Sequence, residues 1–249
     1  MNPTLTVLAY SGLAAGASVL GVLPLVGRPR LPVRAVGWAN ACAAGVMLGA
    51  AYLLMRAGFQ AQASSAAAGA ALGIGSVALA HAASGTARLD LNRLEPADPV
   101  YAYRVLLVNW LHSAAEGIAI GAAMAVHIPF GVFVALAMAL HNVPEATVTA
   151  AVLRGQRVGA WAAAGLAVVT NSSQVLFAVA TFAVVTAAPA ALPGALGAAV
   201  GALVYLVLSE LLPESYRQAG HTTIALVAAL AMGVVVFAGD RWLAAPFGG

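Results

Sequence analysis

The stretch Val105–Val126, VLLVNWLHSAAEGIAIGAAMAV, sets His112 and Glu116 inside an apolar run long enough to cross a bilayer. A second run repeats the pattern with His141-Asn142-Val143-Pro144-Glu145-Ala146. In both, a His precedes a Glu by four positions, which on an α-helix places the two side chains on one face about one turn apart. A carboxylate at the centre of a membrane helix costs about 2.5–3.5 kcal/mol on insertion scales, so each Glu demands a partner.

The composition around these runs fixes the class. Of 249 residues, 62% are hydrophobic and 8% charged, and the mean hydropathy is +0.94. Soluble domains carry roughly 25% charged residues, so the chain reads as an all-α integral membrane protein. Apolar runs recur along residues 1–249 with short polar breaks, which predicts a single helical bundle rather than several domains. Their weak alternation excludes a β-barrel. Cys42 is the single cysteine, which rules out an internal disulfide and any multi-cysteine metal site. The positive charge comes from arginine alone, and no basic cluster with interleaved aromatics points to nucleic acid.

Eight spans are expected, near 4–26, 36–56, 64–83, 105–126, 129–152, 158–186, 191–213 and 221–243. The first is too long for a signal-peptide core, has no positive charge ahead of it and is read as a retained span. Arg28, Arg30, Arg34, Arg88, Arg93, Arg104, Arg154, Arg157 and Arg217 fall in alternate loops, leaving Arg56 and Arg241 on the opposite side. The positive-inside rule then puts both termini outside. The long connection, about 84–104, carries Asp90, Glu95 and Asp98 with Pro96 and Pro99 and is expected on the cytoplasmic side. It has too few metal-binding side chains to make a site.

Depth follows from the 1.5 Å rise per helical residue. Counted from Arg104, His112 and Glu116 lie roughly 12 and 18 Å into the membrane, and counted from Arg154, Glu145 and His141 lie roughly 14 and 20 Å in. Two imidazoles and two carboxylates at one level on neighbouring helices suit a divalent cation. The donor set fits zinc, manganese or ferrous iron better than calcium. Pro144 cannot donate to the carbonyl of Leu140 and is expected to kink its helix there, which would free a carbonyl beside His141.

The two motifs resemble the paired HNxPEG-type motifs in the fourth and fifth spans of ZIP (Zrt-, Irt-like) metal transporters of the bacterial type. Asn40-Ala-Cys-Ala-Ala-Gly-Val-Met47 and Ser209-Glu210-Leu-Leu-Pro-Glu214-Ser are also similar to segments of that family, and the resemblance extends over essentially the whole chain. It implies a binuclear centre reached from outside and emptied towards the cytoplasm by alternating access. The first metal position would use His112, Glu116, His141 and Glu145, with Met47 and Gln174 as weaker ligands; Met47 is equally a gap-filling core methionine. The second position would fall on Ser113, Asn142 and Gln174. All three are neutral where relatives offer carboxylates, which implies a weakened second site. Ala115 replaces the proline of the first motif, implying a straighter fourth span.

Glu210 and Glu214 lie towards the cytoplasmic end of the seventh span and form an expected exit path, although Glu214 could instead pair with Arg217 at i, i+3. His81, His127 and His221 read as interfacial residues. Asn171, Ser172 and Ser173 either line the sixth span's inner face or bond across helices.

The expected function is carriage of a divalent metal, zinc first and otherwise cadmium, manganese or iron, into the cytoplasm. The ion is cargo, no resident cofactor is implied, and the partners are metal ions and the lipid of a bacterial inner membrane. A homodimer is compatible with this reading. The alternative is an intramembrane metal-dependent hydrolase, in which the His/Glu cluster would activate water; no HExxH or other recognised catalytic pattern accompanies it.

Overall fold

The computed structural model describes residues 2–28, 31–85 and 99–243. All regular elements among them are helical. Helix α1 (Pro3–Ala17) is capped by Asn2, whose side chain accepts from the Thr4 amide at 3.0 Å, and it runs on into a 3-10 segment, Ser18–Leu25. There follow α2 (Val33–Ser84), α3 (Pro99–Val126), α4 (Ile128–Gly155), α5 (Ala160–Thr170) and α6 (Ser172–Ala187). After a short 3-10 turn come α7 (Leu192–Leu206), a π-helical turn (Val207–Leu211), α8 (Leu212–Ala219) and α9 (His221–Leu243). Pro213, one residue into α8, has no amide to return to Ser209, so the ladder cannot close normally and the widened turn sits just before it.

Among the described residues, seven stretches are long and apolar enough to cross a membrane, and the chain is a multi-pass membrane protein. The expected second and third spans meet a single 52-residue element, α2. Straight, it would reach about 78 Å, more than twice a bilayer core. It is broken at Gln62 (φ −164°, ψ 105°). A Cβ built on Gly58 would lie 3.3 Å from that of Ala66, whereas eight residues of straight helix separate such positions by about 12 Å. The chain therefore doubles back at Gln62 into two arms.

Small residues let these arms approach their neighbours. On the first arm, Gly45 and Gly49 lie against Ala228 and Val235 of α9; on the second, Gly69 and Gly73 meet Gly194 and Ala198 of α7, while Gly197 and Gly201 meet Ala66 and Ala70. The buried interior joins α2, α3, α4 and α7 through Leu53, Ile120, Phe130, Met138, Leu203 and Leu206. Large apolar side chains such as Leu72, Trp161, Leu230 and Phe237 point outward, as a lipid-facing surface requires. Arg56 pairs with Asp240, tying the far end of the first arm to the end of α9.

Helix α4 runs on through Pro144, which leaves the Leu140 carbonyl without its helical donor, while the α-helical ladder is interrupted at Gln62 and Asn171 and widened at the π turn. The connection expected at 84–104 is shorter at its far end, since α3 begins at Pro99. Residues 86–98, with Arg88, Asp90, Arg93, Glu95, Pro96 and Asp98, lie outside the described residues, as does Arg30.

The contact of the second arm with α7 is testable. A Cβ at residue 73 would stand 2.1 Å from the Ala198 carbonyl oxygen, so Gly73→Val should lower stability in detergent by about 1–3 kcal/mol in a thermal unfolding assay. Gly75→Ala, where nothing lies within 4 Å, should leave the midpoint unchanged or slightly raised.

Candidate metal centre

The antiparallel course of α3 and α4 decides which groups meet. His112 and Glu145 are the members of their pairs nearer the arginines, and Glu116 and His141 the deeper ones, so each His faces the other helix's Glu. His141 Nε2 lies 3.1 Å from Glu116 Oε1, and His112 Nδ1 lies 3.7 Å from Glu145 Oε1. Within α4, His141 Nε2 is 3.7 Å from Glu145 Oε2. All four residues are buried.

His141 Nδ1 sits 3.1 Å from the carbonyl oxygen of Ala43 on α2. A carbonyl only accepts, so Nδ1 carries the proton there and, in a neutral ring, Nε2 keeps its lone pair. That lone pair faces two carboxylates, an arrangement that either a proton or a metal cation between them satisfies. Glu116, His141 and Glu145 offer ligand atoms within 4.8 Å of one another. Zinc bonds of about 2.0–2.2 Å in tetrahedral array set ligand atoms a little over 3 Å apart, close to the separations here.

A second group was not foreseen as a site. His81, His112 and Glu210 also bring ligand atoms within 4.8 Å of one another. Glu210 Oε2 is 3.1 Å from His112 Nε2, and its Oε1 is 3.3 Å from His81 Nε2. His112 is thus the hinge of the arrangement, with Nδ1 towards Glu145 and Nε2 towards Glu210. Here the interfacial reading of His81 is corrected: its side chain is 3% exposed, because the second arm of α2 turns that face inward towards α3 and the π turn. Counting depth from arginines hid this, since His81 lies near a helix end. The helical phase it shares with Gly69, Gly73 and Val77, all buried, was the available signal. Glu210, expected along an exit path, lies directly against His112.

Two of the neutral residues expected at a weakened second position, Asn142 and Gln174, are bonded to each other. Asn142 donates to Gln174 Oε1 at 3.0 Å and to the Ala14 carbonyl at 2.8 Å, and Gln174 donates to Glu116 Oε2 at 3.0 Å. Ser113 lies apart from them and donates to Asn171, which in turn donates to Ser18. Ser173 donates to the Trp110 carbonyl at 2.6 Å, so the polar residues of this region bond across helices. Met47 is buried in the same apolar cluster as Ala44, Ala50 and Ile120, one turn beyond Ala43. Glu214 is held by Arg217, the local pairing expected at i, i+3, and by Gln218, whose amide donates to it at 2.7 Å.

With this geometry in view, one likeness bears on the site. The chain aligns at 29% identity over 242 residues with a protein of Arabidopsis thaliana named as a candidate zinc transporter. The alignment covers 91% of this chain but 37% of that protein, so the chain spans little more than a third of the relative's length. No family model matches the chain.

The hydrogen-bonded chain from Ala14 through Asn142 and Gln174 to Glu116 joins α1, α4, α6 and α3, and its removal should be felt. Asn142→Leu leaves the Ala14 carbonyl and Gln174 Oε1 without their donor, and should lower stability by about 2–4 kcal/mol, read as a drop in the thermal unfolding midpoint.

Proposed function

We propose that the protein is a ZIP-like carrier of divalent metal ions, zinc foremost, and not an enzyme. The observation that carries this reading is His112, one imidazole set between two acidic groups, the buried Glu145 with Glu116 and His141 on one side and the partly exposed Glu210 with His81 on the other. A resident structural ion needs one closed shell; two partial shells sharing a ligand suit an ion that moves. The likeness to a protein named for zinc transport supports the same conclusion.

In this reading the primary ligands are Glu116, His141 and Glu145 with His112, and Gln174 orients Glu116 rather than binding metal. A neutral imidazole offers a lone pair on one nitrogen only. His112 therefore completes one group at a time, and a turn of its allegiance from Glu145 to Glu210 passes the ion along. Ser113 and Asn142 contribute structure, not a second tight site. Met47 lines the apolar wall, and Glu214 acts through its pair with Arg217.

Counting the two arms of α2 separately makes eight spans, with both termini outside and the arginine-bearing ends of α3 and α4 in the cytoplasm. Metal then enters from outside and leaves at the arginine-bearing face of an inner membrane by alternating access. A homodimer fits this arrangement.

Reconstitution in liposomes tests the reading. Zinc should enter vesicles holding the wild-type protein, and Glu145→Ala or His112→Ala should cut the rate at least about tenfold, as loss of a ligand worth more than 1.4 kcal/mol requires. Equilibrium binding should find one tight ion per chain. Metal bound without flux would sink the carrier, and two tight ions would show that His112 is not shared.

A further inference from the structure

The three helices that meet at the metal centre each carry one more polar side chain, about a turn nearer the arginine of that helix. On α2, Asn40 precedes Ala43, whose carbonyl holds His141; on α3, Asn109 precedes His112 by three residues; on α4, Thr149 follows Glu145 by four. The three lie in the directions of Arg34, Arg104 and Arg154, and so form a second polar layer beneath the first. They are 3%, 7% and 3% exposed.

Together with His112 and Glu145 they line a cavity of about 20 Å³. That volume holds one water molecule. No hydrogen bond joins the side chains of Asn40, Asn109 or Thr149 to any other described residue. Polar side chains in a buried region nearly always find a partner, and these three open onto the small cavity beside Glu145, where a water or an ion can meet them.

We propose that Asn40, Asn109 and Thr149 form a neutral oxygen station, where a divalent cation leaving His112 and Glu145 takes its first replacement ligands on the way to the arginine-bearing face. This rests on the carrier reading above. Two amide oxygens, a hydroxyl and a water are hard, uncharged donors that hold a dication loosely. An ion passing straight from two carboxylates into apolar wall would lose its ligands before gaining water; an uncharged layer one turn away offers oxygen at each step without a second trap. The weak hold lets it leave, which conduction requires. At the other nitrogen of His112, His81 and Glu210 offer a charged site of the opposite character, so the two exits differ in how tightly they retain the ion.

The test separates binding from movement. Asn109→Leu and the near-isosteric Thr149→Val, each in the full chain in liposomes, should slow zinc flux at least about fivefold while zinc affinity by equilibrium dialysis stays within about twofold, and Asn109→Ser should keep most of the flux. Flux at the wild-type rate in both Asn109→Leu and Thr149→Val would overturn the station. Loss of affinity in parallel with flux, at an unchanged unfolding midpoint, would also overturn it by placing these residues in the primary site. Absence of flux in the wild type would instead remove the carrier reading and the station with it.

Discussion

The contact between His141 Nε2 and Glu116 Oε1, 3.1 Å apart and wholly buried, is the constraint around which the bundle is built. Neither group is tolerable alone in a low-dielectric interior, and breaking a buried pair by removing one partner costs several kcal/mol. Each is therefore held from behind: His141 by the Ala43 carbonyl, Glu116 by Gln174, and Gln174 by Asn142. These bonds reach α2 and α6, and Asn142 extends them to α1 by donating to the Ala14 carbonyl. The polar centre thereby specifies which helices must be neighbours, while the apolar faces, chemically alike, supply area without direction.

Close packing provides the rest. Gly117 and Gly121 on α3 lie against the backbone of α6 at Gln174 and Ala178, which brings Gln174 within reach of Glu116. Gly21 approaches the Val143 carbonyl on α4 in the same way, beside Asn142. Small residues at these crossings position the ligands as surely as the ligands' own hydrogen bonds do. The glycine ladder between the second arm of α2 and α7 has a different consequence: it carries His81 and Glu210 together towards His112.

Much of this was legible from residue spacing. The i, i+4 pairs at His112/Glu116 and His141/Glu145, their common depth and the antiparallel order of their helices follow from apolar run length and helical rise. Gln174 and Asn142 were identified as neighbours of the centre, but their part as hydrogen-bonding supports depends on side-chain direction across helices, which spacing in one chain does not contain. His81 was misplaced for a similar reason: depth alone says how far along a helix a residue lies, not which face it occupies. The return of the chain at Gln62 falls in the break expected between the second and third spans, 57–63, where apolar run length alone is signal enough.

Zinc-edge anomalous diffraction from crystals of the full chain grown with zinc tests the central claim most directly. A single strong peak bonded to Glu116, His141 and Glu145, with His112 turned towards it, is the predicted result. A strong peak away from these residues, or none at saturating zinc, would contradict it.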